Sequence, residues 1–176
     1  AAFIVAGALS HRPIVSLAGV PPEMIVTDFH SHTNVSHDVR KTLESGFDAS
    51  ANLRWHGRAG FDAVFITDHN TVEGLGPPAA HPARCPGIEV SAWKAHVVLL
   101  GDSLPLDRSR YDGSLEQLLA LLATSDSTYG ALSLLSLPEY DHNHWDRLDT
   151  LVAAGADGFE IVNAAPKAAE FSPAHR

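Results

Sequence analysis

The chain has 176 residues, 45% of them hydrophobic and 19% charged, which is the balance of a soluble domain able to bury one core. Its formal net charge of −9 argues against binding of duplex nucleic acid or of anionic membranes, because both depend on clustered Lys and Arg. The single cysteine, Cys85, excludes an internal disulfide and a cysteine-based zinc site.

The chain opens with an apolar stretch, Ala1–Leu9, that is much shorter than the roughly 20 residues a membrane-spanning helix needs. We therefore expect no membrane span within the chain. A cytoplasmic location is slightly favoured over a periplasmic or membrane-tethered one. Residues 1–22 are predicted to form a lead segment, and residues 23–176 a single domain.

Short apolar or β-branched runs predict buried strands, because each run is bounded by turn residues. In chain order they are Met24–Phe29, Ala63–Thr67, Gly87–Val90, His96–Leu100, Ala131–Leu137 and Gly158–Val162. Helical spacing predicts helices at Ala49–Ala59, Leu115–Ala123 and Trp145–Ala154. Ser114 followed by Gln117 is typical of a helix start, Gly155 is typical of a helix end, and Pro82–Pro86 is typical of a turn. The alternation predicts an α/β fold with a mainly parallel sheet, either open or closed into a barrel.

Ionisable side chains follow the ends of several predicted strands. They are His30 and His32 after the first strand, Asp68 and His69 after the second, Glu89 near the end of the third, and His142 and His144 after a later one. The carboxyl ends of strands are where barrel enzymes assemble their active sites.

The strongest local signal is Asp28-Phe29-His30-Ser31-His32-Thr33, because residues two apart on an extended chain point to the same side. Both imidazoles could then bind one ion. A chance pair of surface histidines explains an isolated H-x-H about equally well.

Other positions strengthen the metal hypothesis only in combination. Thr67-Asp68-His69-Asn70-Thr71 places an imidazole beside a carboxylate after an apolar run, although a turn capped by Asp68 is the commoner interpretation of such a segment. Glu89 lies in an otherwise apolar strand, where a buried carboxylate is costly unless it meets a cation. His96 alone is more often a core or edge histidine than a ligand.

Together these motifs resemble the PHP superfamily, named for polymerase and histidinol phosphatase. The order is H-x-H, T-D-H-N-T, G-I-E, and then a histidine that opens an apolar strand ending in Gly101. The sequence of Ile66–Thr71 is most similar to that of the carbaryl-hydrolase-like branch. The resemblance to the superfamily as a whole runs from Thr27 to Asn163. It implies a distorted (βα)7 barrel that holds two or three divalent ions, commonly zinc, manganese or iron.

The resemblance also implies a ligand set. In it, His30, His32 and Glu89 bind the first ion, Glu89 and His96 bind the second, and Asp38 and His69 bind the third, with His37 as the alternative to Asp38. Asp68, next to a ligand, is expected to orient an imidazole.

The sequence departs from the family pattern at two places. Leu137 stands where the family usually has a histidine before proline, so that the second ion loses a ligand. His142 or His144 could replace it or donate a proton to the leaving group, although solvated loop histidines are the slightly favoured alternative. The closing G-S-D-x-H motif has only a weak counterpart in Ser172–His175, and we expect the barrel to be incomplete or truncated at its C-terminus.

The expected function is metal-dependent hydrolysis, with a metal-bound hydroxide as nucleophile and a small phosphorylated molecule or nucleotide as substrate. The nearest alternative is a carbamate, ester or amide hydrolase of the same superfamily. A degenerate domain that binds metal without catalysis is the third hypothesis, because of Leu137 and the missing terminal motif.

Overall fold

A computed structural model of the chain describes residues 17–40, 47–92, 95–101, 113–136 and 148–160. The strands are β1 (Thr27–Ser31), β2 (Ala63–Ile66), β3 (Ala83–Ala92), β4 (Ala95–Leu100), β5 (Leu132–Ser136) and β6 (Gly158–Phe159). The helices are α1 (His37–Arg40), α2 (Ala49–Ala59), α3 (Leu115–Tyr129) and α4 (Leu148–Ala153), with a 3₁₀ helix at Glu73–Leu75.

The chain divides into two compact units, Ala1–Pro86 and Gly87–Arg176. Each strand pairs with the next one along the chain, in the order β1-β2-β3-β4-β5-β6. The α/β class is confirmed, whereas the boundary after residue 22 stays a prediction. Within the described part of the chain, no helix is both long enough and apolar enough to cross a membrane.

The first unit is a parallel arrangement of β1, β2 and the start of β3, with α2 connecting β1 to β2. Its apolar core joins Leu53 of α2 to Val64 and Ile66 of β2. The helix begins where the Asp48 side chain accepts a hydrogen bond from the Ala51 N–H, at 2.8 Å. It ends at Gly60, whose φ of 96° is a left-handed conformation that glycine adopts without steric cost.

Strand β3 begins four residues before the predicted start and runs through Pro86. The prediction of a turn at Pro82–Pro86 is therefore wrong for all of these residues except Pro82. Pro86 pairs with Ile66 of β2, and the next residue, Gly87, pairs with Leu100 of β4. The missing proline N–H thus falls where β3 changes partners, a position at which a strand tolerates the loss of one ladder bond.

The second unit corrects the expectation of a mainly parallel sheet. Strand β4 is antiparallel to both β3 and β5, and only β6 pairs in parallel, with β5. The link between β3 and β4 is too short for the helical crossover that parallel neighbours need. One consequence is that His96, at the start of β4, pairs with Ser91 near the end of β3.

Side chains alternate between the two faces of the second unit's sheet. One face carries the apolar core, which also includes residues of α3 and α4: Ile88, Val90, Val97, Leu99, Leu118, Leu122, Leu135 and Leu151. The opposite face carries Glu89 and His96 instead, because these residues are out of phase with the core positions on the same strands. This alternation separates the residues that stabilise the fold from those available for chemistry.

Helix α3 begins as predicted and ends six residues later than predicted. The Ser114 hydroxyl accepts from the Gln117 N–H at 3.2 Å, as expected for the N-cap residue of a helix. The added turns are polar, and the Thr124 hydroxyl is satisfied by donating to the Ala120 carbonyl at 2.9 Å. The helix ends at Gly130, and Gly155 ends α4 with a φ of 112°.

We expect Leu135→Ala to lower the free energy of unfolding by about 2–5 kcal/mol, because the removed side chain leaves a cavity in the core. Leu135 is fully buried, whereas Leu132 on the same strand is 46% exposed. Urea denaturation followed by circular dichroism measures the change. Leu132→Ala is the matched control, and equal losses in the two variants would contradict this assignment of the core face.

Candidate metal centre

The H-x-H segment places two imidazoles against each other at the end of β1. The Nε2 atoms of His30 and His32 lie 3.0 Å apart, with ring centroids 4.9 Å apart. The backbone N–H of His30 donates to Asp28 Oδ1 at 2.9 Å, and the strand register shifts between Asp28 and Ser31. The two rings thus lie side by side where β1 ends.

His32 is held by Asp38, the acidic residue of α1. The His32 Nδ1 atom lies 2.9 Å from Asp38 Oδ2. Burial raises the pKa of the Asp38 carboxyl, but the hydrogen bond and positive charge of His32, together with the charge of His69, outweigh burial and hold the pKa well below 3.8. Asp38 is therefore a carboxylate that accepts from His32 Nδ1, so that Nε2 is the ring nitrogen left for an ion, which binds it once the second ring proton is released.

His69 joins the same cluster from the segment after β2. One ligand atom each of His32, Asp38 and His69 lie within 4.8 Å of one another. The His69 ring contacts that of His32, with centroids 4.8 Å apart, and that of His37, with centroids 4.5 Å apart. His37 is exposed at the rim of the cluster, and its use as an alternative ligand stays a prediction.

Asp68 joins the two segments that carry these ligands. Its Oδ1 accepts from the Thr33 N–H at 2.6 Å, and its Oδ2 accepts from the Thr33 hydroxyl at 2.8 Å. Burial raises the pKa of Asp68, and these two hydrogen bonds oppose that rise. Both carboxylate oxygens thus hold the loop after β1, a structural role that sequence reasoning did not assign to Asp68. Its predicted catalytic role stays a prediction.

The backbone around His69 is fixed on both sides. The His69 N–H donates to the Ser36 hydroxyl at 3.2 Å, and the Thr67 N–H donates to the Ser31 carbonyl at 2.8 Å. Asn70 has a φ of 53°, in the left-handed region that asparagine tolerates better than most residues. The segment Thr67–Asn70 therefore also forms a turn, and the chain changes direction directly after His69.

In the second unit, the predicted residues Glu89 and His96 form a pair. His96 Nδ1 lies 2.8 Å from Glu89 Oε1, and Glu89 is 2% exposed. Across the sheet, His96 pairs with Ser136, whose hydroxyl donates to Glu160 Oε2 at 2.9 Å. Ser136 and Glu160 were not predicted, because nothing local in the sequence distinguishes them from ordinary strand residues.

His142, His144 and Leu137 lie outside the described residues. The assignments made for them, as substitute ligands, as proton donors or as a lost ligand, stay predictions.

The donor set of the first unit fits a divalent cation. Imidazole nitrogens with a carboxylate oxygen suit zinc, manganese or iron. Ligands at about 2.1 Å from one ion lie about 2.9–3.4 Å apart, and the two Nε2 atoms of His30 and His32 are 3.0 Å apart. Asp38 Oδ1 is buried without a hydrogen-bond partner in the part of the chain that the structure describes. That oxygen is available for an ion while Oδ2 holds His32.

Sequence reasoning missed the buried polar residues behind H-x-H. Asn52 and His56 lie on α2 and are 0% and 3% exposed. The available signal was their spacing of one helical turn on the same face as Leu53, since a polar pair on the apolar face of a helix needs internal partners.

No family model matches the chain, and no curated protein matches it. Among solved structures, it is similar to a crystal structure of a protein from Bifidobacterium adolescentis named "putative metal-dependent phosphoesterase". The TM-score is 0.52 with 14% identity, over 85% of this chain and 82% of that one. At that identity, the likeness shows a shared α/β fold.

We expect Gly74→Ala to destabilise the first unit by about 3 kcal/mol, the upper end for overpacking. A Cβ at Gly74 would overlap the Asp68 carboxylate and lie 2.5 Å from the Thr33 hydroxyl oxygen. Thermal denaturation of the metal-free protein measures the effect. Gly130→Ala is the control, because a Cβ there meets no atom within 4 Å and only the positive φ of 57° adds about 1–2 kcal/mol. Equal losses would argue against a tightly packed Asp68 contact.

Proposed function

We propose that this protein is a metal-dependent hydrolase of the PHP type, and that it acts as a phosphoesterase on a small phosphorylated molecule or nucleotide. The observation that carries the proposal is the 3.0 Å approach of the His30 and His32 Nε2 atoms. In the metal-free protein this separation suits an N–H···N hydrogen bond between the rings, and it equally suits two ligands of one cation. Asp38 holds the Nδ1 side of His32, so that Nε2 is the atom that faces His30.

His30 and His32 would face one divalent ion through their Nε2 atoms, and Asp38 Oδ1 with His69 would hold another. The family resemblance adds Glu89 and His96 to the ligand set. When bound, such ions lower the pKa of a water molecule toward neutrality and polarise the phosphoryl oxygen that gains negative charge. The resemblance further suggests two or three ions of zinc, manganese or iron.

The chain's own residues supply orientation and charge. Asp38 fixes the tautomer of His32 and contributes a negative charge to the cluster. Asp68 holds the H-x-H segment against the T-D-H segment, so that His32 and His69 keep their separation. The phosphoesterase name of the structural neighbour supports the choice of substrate class. The sequence of Ile66–Thr71 would instead suit a hydrolase of the carbaryl-hydrolase-like branch. A panel of phosphoester and carbamate substrates distinguishes these two hypotheses.

We expect freshly purified protein to contain more than one divalent ion per chain and to hydrolyse an aryl phosphodiester faster than an aryl carbamate. Mass spectrometry of the metals and chromogenic assays with added Mn²⁺ or Zn²⁺ measure both properties. The double variant His30→Ala, His32→Ala should lose at least about a hundredfold in turnover, since even indirect supports of a ligand are worth about 10–100-fold.

His81→Ala is the control for this double variant, because His81 is exposed and belongs to no ligand cluster in the described part of the chain. Metal binding without turnover would favour the degenerate domain. Preference for the carbamate would favour the alternative branch, and absence of bound metal would overturn the proposal.

We expect Asp38→Asn to reduce the metal content by one ion and to weaken metal affinity by at least about tenfold, because the amide lacks the charge and cannot fix His32 as a carboxylate does. Asp48→Asn is the matched control, since Asn caps a helix about as well as Asp. Titration of the metal-free variants with Zn²⁺ in competition with a chelating dye measures the affinity. Equal affinity in the two variants would remove Asp38 from the site.

A further inference from the structure

Helix α2 presents two buried polar side chains to the strand that carries the H-x-H ligands. Asn52 and His56 are 0% and 3% exposed and lie one turn apart on the helix. Polar groups buried this deeply reduce stability unless their hydrogen bonds are made. Each residue directs at least one of those bonds to β1 or to the residue that follows it, although an apolar pair at these two helix positions would have stabilised the core more simply.

Asn52 fixes the backbone between and after the two histidines. Its side-chain nitrogen donates to the Ser31 hydroxyl at 2.7 Å and to the His32 carbonyl at 3.0 Å. An amide nitrogen has two N–H groups, and both are used here. Ser31 is the residue between the ligands, so that one side chain of α2 sets the position of the whole H-x-H turn.

His56 reaches the first histidine through Asp28. Its Nδ1 donates to the Asn52 carbonyl at 2.9 Å, because a carbonyl can only accept, and its Nε2 lies 2.8 Å from Asp28 Oδ2. The other oxygen, Asp28 Oδ1, accepts the backbone N–H of His30. The His56 ring contacts those of Trp55 and Phe61, with centroids 5.0 and 5.1 Å away. The position of the His30 backbone is therefore tied to a rigid side chain of α2.

We propose that Asn52 and His56 are positioning residues that set the metal affinity of the H-x-H segment. This inference rests on the proposed metal site. Two ligands that already face a common point lose less freedom when an ion binds, and outer hydrogen bonds to metal ligands commonly control affinity. Neither residue touches the ion. Their effect passes through Ser31, Asp28 and the backbone of the histidines.

The test is a Zn²⁺ titration of metal-free Asn52→Ala and His56→Phe in competition with a chelating dye. It is performed at a temperature at which circular dichroism shows each variant to be folded. Each variant should bind the tightest ion about 10–100-fold more weakly than the wild type. His56→Gln should recover most of the affinity, because its terminal amide offers both an N–H donor and a carbonyl acceptor to Asp28.

Leu53→Ala separates positioning from stability. Leu53 lies on the same helix in the apolar core, and its loss should lower the melting temperature while leaving Zn²⁺ affinity within about threefold. The inference is overturned if Asn52→Ala and His56→Phe bind Zn²⁺ as the wild type does, or if Leu53→Ala weakens binding as much as they do. A wild-type protein that binds no Zn²⁺ would instead refute the proposed function itself.

Discussion

Two hydrogen bonds between Thr33 and Asp68 join the segment after β1 to the segment after β2. Thr33 directly follows His32 and Asp68 directly precedes His69, so the join fixes the two imidazoles relative to each other. Asp68 is 1% exposed, and loss of its partner would leave a buried carboxylate without hydrogen bonds. Gly74 leaves the space in which this carboxylate lies. Together with the hydrogen bonds from Thr67 to Ser31 and from His69 to Ser36, this contact holds the cluster of the first unit in place.

The sequence predicted those elements whose signals are local. Helix α2 has the predicted bounds because apolar spacing, the cap at Asp48 and Gly60 all agree. The length of strand β3 was underestimated, since proline usually interrupts a strand. Pro86 is accommodated because β3 changes its pairing partner at this residue. The antiparallel direction of β4 was missed because strand direction depends on the length of a connection and on long-range pairing, which periodicity does not encode.

For the candidate site, the sequence indicated which residues are candidate ligands, but it did not indicate which residues hold them in place. His32, Asp38 and His69 come from three separate segments, and the structure brings their ligand atoms together. What the sequence could not provide was the supporting set. Thr33 and Asn52 are common residue types whose importance arises only from burial and from hydrogen bonds spanning 35 and 20 residues. Long-range hydrogen bonds of this kind leave no periodic or motif signal in one chain.

Of the three carboxylate–imidazole pairs in the described part of the chain, two use the Nδ1 atom of the histidine, whereas His56 meets Asp28 through Nε2. Asp38 accepts from His32 Nδ1 and Glu89 from His96 Nδ1, at 2.9 and 2.8 Å. A pair that served only to neutralise a buried carboxylate could use either ring nitrogen. Because a proton held on Nδ1 leaves the lone pair of a neutral ring on Nε2, the atom farther from the backbone, both histidines are prepared to bind a cation. His56 differs because its Nδ1 is held by the Asn52 carbonyl, whereas His32 and His96 use Nδ1 for a carboxylate, the arrangement that the proposed binding of an ion through Nε2 needs.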